Sequence, residues 1–120
     1  MYEELLDDNI NVVLCGASSY EQKFYLNEEF DNLPEKIRQE LQIICVTYTE
    51  EVGGVLTMEF EEDGTLVLRS AADEADYLYD EVGSVLKIRQ IQQEHQELLE
   101  SLEMYFRVFY LGEEAPEEEV

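Results

Sequence analysis

Residues 52 to 70, VGGVLTMEFEEDGTLVLRS, restrict the fold more than any other stretch, because they read as a β-hairpin with one favourable register. A two-residue loop would set glutamates opposite leucines on both faces of the hairpin. A three-residue loop at 62–64, with Gly64 in the left-handed conformation, instead pairs Phe60 with Leu66. The sequence therefore predicts this longer loop and this register.

The register divides the hairpin into an apolar face and a polar face. We expect the apolar face to comprise Leu56, Met58, Phe60, Leu66 and Leu68, with Met58 opposite Leu68. We expect the face in water to comprise Thr57, Glu59, Glu61, Thr65, Val67 and Arg69. This alternation is typical of an antiparallel pair that covers a core on one side. An Arg69 to Glu59 ion pair on the wet face would be worth about 0.5 kcal/mol.

The stretch NLPEKIRQELQIICVTYTEEVGG predicts a helix from about 34 to 51. Pro34 suits the first helical position, and Gly53 with Gly54 provides the stop. An apolar stripe at helical spacing runs through Leu33, Ile37, Leu41, Ile44, Tyr48 and Val52. The β-branched run IICVTYT is also compatible with a strand, but the continuity of the stripe favours the helix.

Residues 10–27 allow two interpretations. Two short apolar runs around the small residues 16–19 are consistent with two further strands beside the hairpin. Ser18 followed by Glu21 has the spacing of a capping box, which favours a short helix. Both alternatives remain open from the sequence, and residues 1–10 are either an amphipathic start or a loose end.

The C-terminal part predicts one long helix near 76–110, with Asp76 as the capping residue and Gly83 as a weak point. Leu78, Val82 and Val85 begin its apolar face. The face continues with spacings of three and four through Ile88, Ile91, His95, Leu98, Leu102, Tyr105 and Phe109. The second set forms a three-heptad seam, shifted by one residue from the first set.

This seam predicts a homodimer. From Gly83 to Tyr110 a helix is about 40 Å long, whereas a globular chain of this length has a diameter of about 35 Å. The helix would overhang its own domain and expose an apolar strip, which a second copy commonly covers. We expect the interface to contain Ile91, His95, Leu98, Leu102, Tyr105 and Phe109. If the helix bends, the sheet can cover the strip instead, and His95 can lie either at the interface or in the core.

Together these elements predict an α+β fold. A small antiparallel sheet that includes the hairpin 55–69 would be covered by the helix near 34–51 and by the long C-terminal helix. We expect one domain over 1–111 and a disordered acidic tail over 112–120.

Charge limits the partners. The chain has 30 Asp and Glu against 7 Lys and Arg, a formal net charge of −23. Its few basic residues are scattered, so direct binding to nucleic acid or to an anionic membrane is not expected. Cys15 and Cys45 lack a CxxC spacing, and the N-terminus is acidic where a secretory signal is basic. We therefore expect a cytoplasmic protein with reduced thiols.

The motifs of common enzymes and cofactor sites are missing. His95 is the single histidine and has no metal-binding partner at the usual spacing. Cys15 and Ser18 near a glycine lack the GxSxG pattern of a nucleophile turn. The carboxylates at 73–81 could crowd one face of a helix start, but they do not follow the EF-hand pattern. No phosphate-binding loop is present, so we expect no cofactor, no metal and no catalytic residue.

The stretches ELQIICVTYTEEVGGVLTMEF, EDGTL and YDEVGSVLKIRQIQ carry a resemblance to a known family. Over about residues 12–111 the chain resembles a family of small, acidic bacterial proteins known only as a domain of unknown function. The resemblance implies a free-standing protein of the bacterial cytoplasm and no particular activity. In size, charge and element order the chain is also similar to acidic α+β secretion chaperones, which are dimeric and present surfaces to clients.

The leading hypothesis is a non-enzymatic protein-interaction or chaperone-like module. One alternative is a small cation-dependent enzyme that uses the carboxylates at 73–81, and another is a nucleic-acid mimic. A concave pocket that unites those carboxylates with His95 would favour the enzyme. Carboxylates that point into solvent would favour the interaction module, and rows of carboxylates spaced like phosphates would favour the mimic.

Overall fold

The computed structural model of the protein describes residues 11–114. Within them the chain forms one antiparallel sheet with strand order β2-β1-β3-β4 and three α-helices, so the predicted α+β class is confirmed. The elements are β1 Val12–Ser18, β2 Lys23–Leu26, a 3-10 turn Glu28–Phe30, α1 Glu35–Glu51, β3 Val55–Phe60, β4 Leu66–Ala71, α2 Glu81–Glu94 and α3 Gln96–Phe109. None of the described helices is long and apolar enough to cross a membrane.

The hairpin β3–β4 has the predicted register. Phe60 pairs with Leu66 and Met58 pairs with Leu68. The loop is closed by a hydrogen bond from the Gly64 N–H to the Glu61 carbonyl (2.9 Å), and Gly64 has φ of 92°. All five side chains of the predicted apolar face are buried. This agreement follows from the alternation of side chains, because only the three-residue loop places the apolar side chains of both strands on one face.

Glu59 departs from the expectation that it faces water, because it is only 6% exposed. Its carboxylate accepts hydrogen bonds from Thr57 Oγ1 (2.9 Å), Arg69 Nε (3.0 Å) and Asn11 Nδ2 (3.1 Å). The reason is that β3 is a central strand, flanked by β1 as well as β4, so neighbours shield the middle of its outer face. A buried carboxylate requires such partners.

Residues 12–26 are two strands, and the alternative of a short capped helix is wrong. β1 pairs with β2 on one side and with β3 on the other. Gly16 lies within β1 rather than in a break between strands. A Cβ at this position would lie 2.9 Å from the Leu56 carbonyl oxygen, so a glycine suits the close approach of β1 and β3. The Ser18 hydroxyl accepts from the N–H groups of Tyr20 and Glu21 and so shapes the turn to β2.

The helix predicted near 34–51 is present as α1, and its strand alternative is wrong. Pro34 is the capping residue in extended conformation rather than the first helical residue. Gly53 and Gly54 both have positive φ and end the helix as expected. α1 packs on β1, β2 and β3. Its buried side chains are Leu41, Ile44, Cys45, Tyr48 and Thr49.

The single helix predicted near 76–110 is wrong in two respects. First, Asp80 rather than Asp76 caps α2, with Asp80 Oδ1 accepting from the Gly83 N–H (2.9 Å). Residues 73–79 are not helical, because they are held by tertiary hydrogen bonds described below. Second, the helix is interrupted at His95, whose φ of −118° and ψ of 28° separate α2 from α3.

The bend at His95 changes which side of the C-terminal helix faces the core. The buried residues of α3 are Leu99, Leu102 and Phe106 rather than the whole predicted seam. α3 packs on β4 and holds the hairpin, with Glu103 Oε2 accepting from the Leu66 N–H (2.8 Å). Phe106 stacks on Phe60 with ring centroids 4.3 Å apart. The sheet therefore covers part of the apolar strip of α3, as expected for a bent helix, while Phe109 stays exposed.

The predicted domain limits, 1–111, and the predicted tail, 112–120, extend beyond the described part of the chain. Residues 1–10 and 115–120 lie outside the described residues. The limits of the domain and the disorder of the tail stay predictions.

Candidate functional site

Four of the five carboxylates at 73–81 lie in residues 72–80, a non-helical segment that we call the arm, and the fifth, Glu81, is the first residue of α2. The arm connects β4 to α2. Asp73 folds its first part, because Asp73 Oδ1 accepts from the Ala75 N–H (2.9 Å) and the Asp73 carbonyl accepts from the Asp76 N–H (2.9 Å). Short aspartate turns of this kind compete with helix formation, which explains why α2 begins later than predicted.

Tyr20, in the turn between β1 and β2, holds the first half of the arm. Its hydroxyl donates to Asp76 Oδ2 (2.7 Å) and accepts from the Asp73 N–H (3.0 Å). The hydrogen bond to the Asp76 carboxylate raises the pKa of Tyr20, because the carboxylate favours the protonated phenol that donates to it. A residue more than fifty positions away thus fixes the arm, and no local sequence signal announces it.

Tyr79 holds the second half of the arm through a group of four hydroxyls. Its hydroxyl lies 2.8 Å from that of Tyr48 on α1, and Tyr48 OH lies 2.7 Å from Ser84 Oγ on α2. Ser84 Oγ donates to Ser70 Oγ on β4 (3.0 Å). Burial, followed by the hydrogen bond with Tyr79, raises the pKa of Tyr48 to about 12. These bonds tie the arm to α1, α2 and β4.

Gly54 makes room for the Tyr79 ring. A Cβ at Gly54 would lie 2.6 Å from Tyr79 Cε1 and 2.6 Å from the Ala71 carbonyl oxygen. Gly54 also has φ of 70°, a conformation that side chains rarely tolerate. The glycine pair that ends α1 therefore has a second role, since it lets the arm approach the sheet.

Between its two anchors the arm turns large apolar side chains into solvent. Tyr77 is 91% exposed and Leu78 is 93% exposed. Val82, Val85 and Leu86 follow on α2 and are also exposed. We call these five residues, Tyr77, Leu78, Val82, Val85 and Leu86, the docking patch. An ordered backbone that presents contiguous apolar side chains to water is typical of an interaction site.

Carboxylates flank the docking patch along the chain. Asp73, Glu74, Asp76 and Glu81 line an open cleft of about 510 Å³ together with Tyr79 and Val85. The sequence over 70–86 contains no Lys or Arg. The next basic residue, Lys87, pairs with Glu51 Oε1 at 2.7 Å. The patch is therefore an apolar surface in a strongly negative setting.

His95 lies apart from these carboxylates. It lines a separate open cleft of about 580 Å³ with Glu40 and the first residues of α3. His95 Nδ1 is 3.9 Å from Glu40 Oε2, at the limit of an ion pair. Over residues 11–114 no group of three or more His, Cys, Asp or Glu is placed to hold a metal ion. The structure does not bring together the set that the enzyme alternative needs.

The residues of the predicted dimer interface occupy different environments. Ile91 and Leu102 are in the core of their own chain, at 4% and 2% exposure. His95, Leu98 and Tyr105 are half-buried, and Phe109 is 69% exposed. The overhanging straight helix on which the dimer was argued is wrong, but the homodimer itself stays a prediction. The homodimer would be contradicted if light scattering, at a protein concentration of tens of micromolar, gave the mass of a single chain.

Cys15 and Cys45, which look isolated in the sequence, meet in the core. Their Sγ atoms are 3.8 Å apart, and both lie within 3.7 Å of Met58 Sδ. The hydrogen bond with Cys45, followed by burial, strongly raises the pKa of Cys15, so its thiol is not activated as a nucleophile. Both cysteines are free thiols. This cluster packs α1 on the sheet.

Sequence reasoning missed the docking patch because it counted Leu78, Val82 and Val85 as the apolar face of a helix. Together with Ala75 these residues follow helical spacing without a polar interruption, so the local sequence carries no signal of their exposure.

Comparison with known proteins identifies a family but no activity. Residues 11–114 match a family of unknown function (DUF6145), so the chain belongs to that family. This confirms the resemblance to a domain of unknown function, with a match that is one residue longer at the N-terminal end and three residues longer at the C-terminal end. No curated protein and no solved structure shows significant similarity to the chain.

Proposed function

We propose that this chain is a non-enzymatic protein-interaction or chaperone-like module, and that the docking patch is where it binds a protein partner. The observation that carries the proposal is the exposure of Tyr77 and Leu78, above 90% each, on a segment whose backbone is fixed. An apolar side chain on a fixed backbone loses little conformational freedom when a partner covers it, so such residues are effective binding anchors.

The anchoring of the arm supports this role. The hydroxyls of Tyr20 and Tyr79 form hydrogen bonds that position the arm, although the arm itself buries few apolar side chains. If the arm served only to connect β4 to α2, a short turn without exposed Tyr77 and Leu78 would suffice. The arrangement thus favours presentation of the patch over a structural role.

The two alternatives gain less support from the same residues. The enzyme alternative needs the carboxylates at 73–81 beside His95, and the two groups line different clefts. The mimic of nucleic acid needs rows of carboxylates along one face, whereas here the carboxylates are interrupted by Tyr77, Leu78 and Tyr79. We place the interaction in the bacterial cytoplasm, which the family resemblance and the free thiols of Cys15 and Cys45 support.

Site-directed photo-crosslinking in cells tests the proposal. A photoreactive phenylalanine analogue at Tyr77 should give a discrete adduct with one or a few proteins. The same analogue at Ile43 is the matched control, because Ile43 is 64% exposed and lies on α1, away from the arm. The adduct should disappear when Leu78→Asp is added and persist when Glu62→Gln is added. The proposal would be contradicted if the analogues at Tyr77 and Ile43 gave the same adducts in the same yield. It would also be contradicted if Leu78→Asp left the yield of the Tyr77 adduct unchanged.

A further inference from the structure

We infer that the docking patch accepts a cationic amphipathic helix of the partner protein, an inference that rests on the proposed function and specifies the chemistry of its ligand. Three features of the patch lead to it. They are the shape of the exposed surface of α2, the sign of the charge around it, and the exclusion of a second copy as the occupant.

The exposed surface of α2 has the shape of a helix-packing ridge. Val82 and Leu86 are four residues apart and Val85 fills the intervening row, so all three lie on one side of the helix. Ridges of this i, i+4 kind pack into the grooves of another helix. Tyr77 and Leu78 precede this ridge in the chain, before the capping residue Asp80. From Val82 to Leu86 the ridge spans about one helical turn, or about 6 Å.

The charge around the ridge requires a positive partner. The nine residues from Asp73 to Glu81 include five carboxylates. Among the described residues, neither Glu74 nor Glu81 forms an ion pair with a basic side chain. A neutral or anionic helix would have to desolvate these carboxylates without compensation. Lysines or arginines on either side of its apolar face would meet them. Lys87, directly after Leu86, marks the end of the negative stretch and is paired with Glu51.

A second copy of the chain does not fit the patch. Two-fold pairing would bring two arms together, and each arm would set its carboxylates against those of the other. Each chain also carries a formal net charge of −23. Like charges placed across an interface oppose association. The same argument excludes an anionic membrane surface as the occupant.

Calorimetric titration of the full chain with synthetic peptides tests the inference. The probe is a peptide of roughly 18 residues with leucines at i, i+3, i+4 and i+7 and lysines elsewhere, which forms one apolar face. A scrambled peptide of the same composition has the same charge but no apolar face. A third peptide keeps the apolar face and replaces lysine by glutamate. We expect the amphipathic lysine peptide to bind at least about tenfold more tightly than either of the others.

Variants of the protein locate the binding. Leu78→Ala with Leu86→Ala should weaken binding of the lysine peptide by about tenfold or more, whereas Ile43→Ala should leave it unchanged. Glu74→Gln with Glu81→Gln should weaken it and also reduce its dependence on salt. NMR chemical shifts of each variant should show that it is folded. Affinities are then compared only between folded proteins.

Several outcomes would overturn the inference. Equal affinity for the lysine peptide and the scrambled peptide would show binding by charge alone. Affinity indifferent to the Leu78 and Leu86 changes would place the peptide elsewhere. A native dimer dissociated by those changes would assign the patch to a second copy. If the peptides fail while the crosslink from Tyr77 still depends on Leu78, the proposed interaction stands and the cationic helix is wrong.

Discussion

The hairpin β3–β4 and the segment that follows it, the arm with the start of α2, have similar numbers of large apolar side chains but use them in opposite ways. In the hairpin, Leu56 and Met58 are fully buried. In the arm, Leu78 is 93% exposed although its neighbours Asp76 and Tyr79 are held by hydrogen bonds. Apolar side chains of the hairpin stabilise the fold, whereas Tyr77 and Leu78 of the arm stay exposed to solvent.

The comparison separates order from burial. The arm is ordered by hydroxyls, since Tyr20 and Tyr48 reach it from distant elements. The hairpin is ordered by its side-chain alternation and by the core beneath it. Substitutions should therefore change stability strongly in the hairpin, moderately at the hydroxyl anchors, and hardly at all in the docking patch.

Leu56→Ala should have the largest effect on the hairpin side of the comparison. Leu56 is fully buried between the sheet and the helices. Removal of its side chain should lower the free energy of unfolding by about 2–5 kcal/mol, through lost burial and the cavity left behind. Urea unfolding followed by circular dichroism measures this. A loss below 1 kcal/mol, a value typical of exposed sites, would show that the hairpin is no better packed than the arm.

Gly64→Val should come next, at about 1–3 kcal/mol. The left-handed φ of 92° is unfavourable for a β-branched residue, and a Cβ there would also lie 2.8 Å from Arg107 Cγ. Gly64→Asn is the matched control, because asparagine tolerates this conformation, and it should lose less stability. Equal losses for both variants, measured by urea unfolding, would place the cost in the Arg107 contact rather than in the backbone.

How far sequence reasoning reached differs between the same two regions. The hairpin was predicted in register and burial because alternation and turn chemistry act within one contiguous stretch. Only Glu59 was misplaced, since its burial depends on β1, whose pairing with β3 no local pattern encodes. For α1 the 3.6-residue stripe correctly outweighed the β-branched run around Cys45.

The arm could not be predicted in the same way. Leu78 in the arm and Val82 at the start of α2 match helical spacing as well as the buried residues do, so periodicity alone assigned them to the apolar face of a helix. What prevents the helix is a set of hydrogen bonds from Tyr20 and Tyr48, which lie 56 and 31 residues from their partners Asp76 and Tyr79. The bend at His95 could not be predicted for the same reason. The spacing of the seam fits a straight helix, and the bend is associated with the packing of α3 on β4, which local sequence does not show.

Tyr48→Phe tests whether the four hydrogen-bonded hydroxyls, to which Tyr48 belongs, anchor the arm. The change removes the hydrogen bonds to Ser84 and Tyr79 and should cost about 1–3 kcal/mol at neutral pH. Because the pKa of Tyr48 is raised from 10.0 to about 12 in the folded chain, its contribution is complete below pH 10 and is lost as the pH rises through 12. The stability difference between wild type and variant should therefore narrow over that range.

Urea unfolding at a neutral and an alkaline pH measures the narrowing. Tyr25→Phe is the matched control, since Tyr25 is 56% exposed on the edge strand β2 and its phenol should contribute little at either pH. A difference between wild type and Tyr48→Phe that stays constant with pH would mean that the pKa of Tyr48 is the same in the folded and the unfolded chain. The fold would then not favour the protonated phenol.

Leu78→Ala should have the smallest effect on stability, within about 0.5 kcal/mol, because a side chain that is 93% exposed loses almost no burial when it is shortened. The same change should remove the crosslink from Tyr77, so one substitution separates stability from binding. A loss of 1 kcal/mol or more would show that Leu78 packs within its own chain in solution. The contrast with Leu56 would then disappear, since both leucines would stabilise the fold and the patch would not be open to a partner. Unchanged stability with a lost crosslink would instead show that the arm is ordered without the patch, so that Tyr77 and Leu78 remain available for binding.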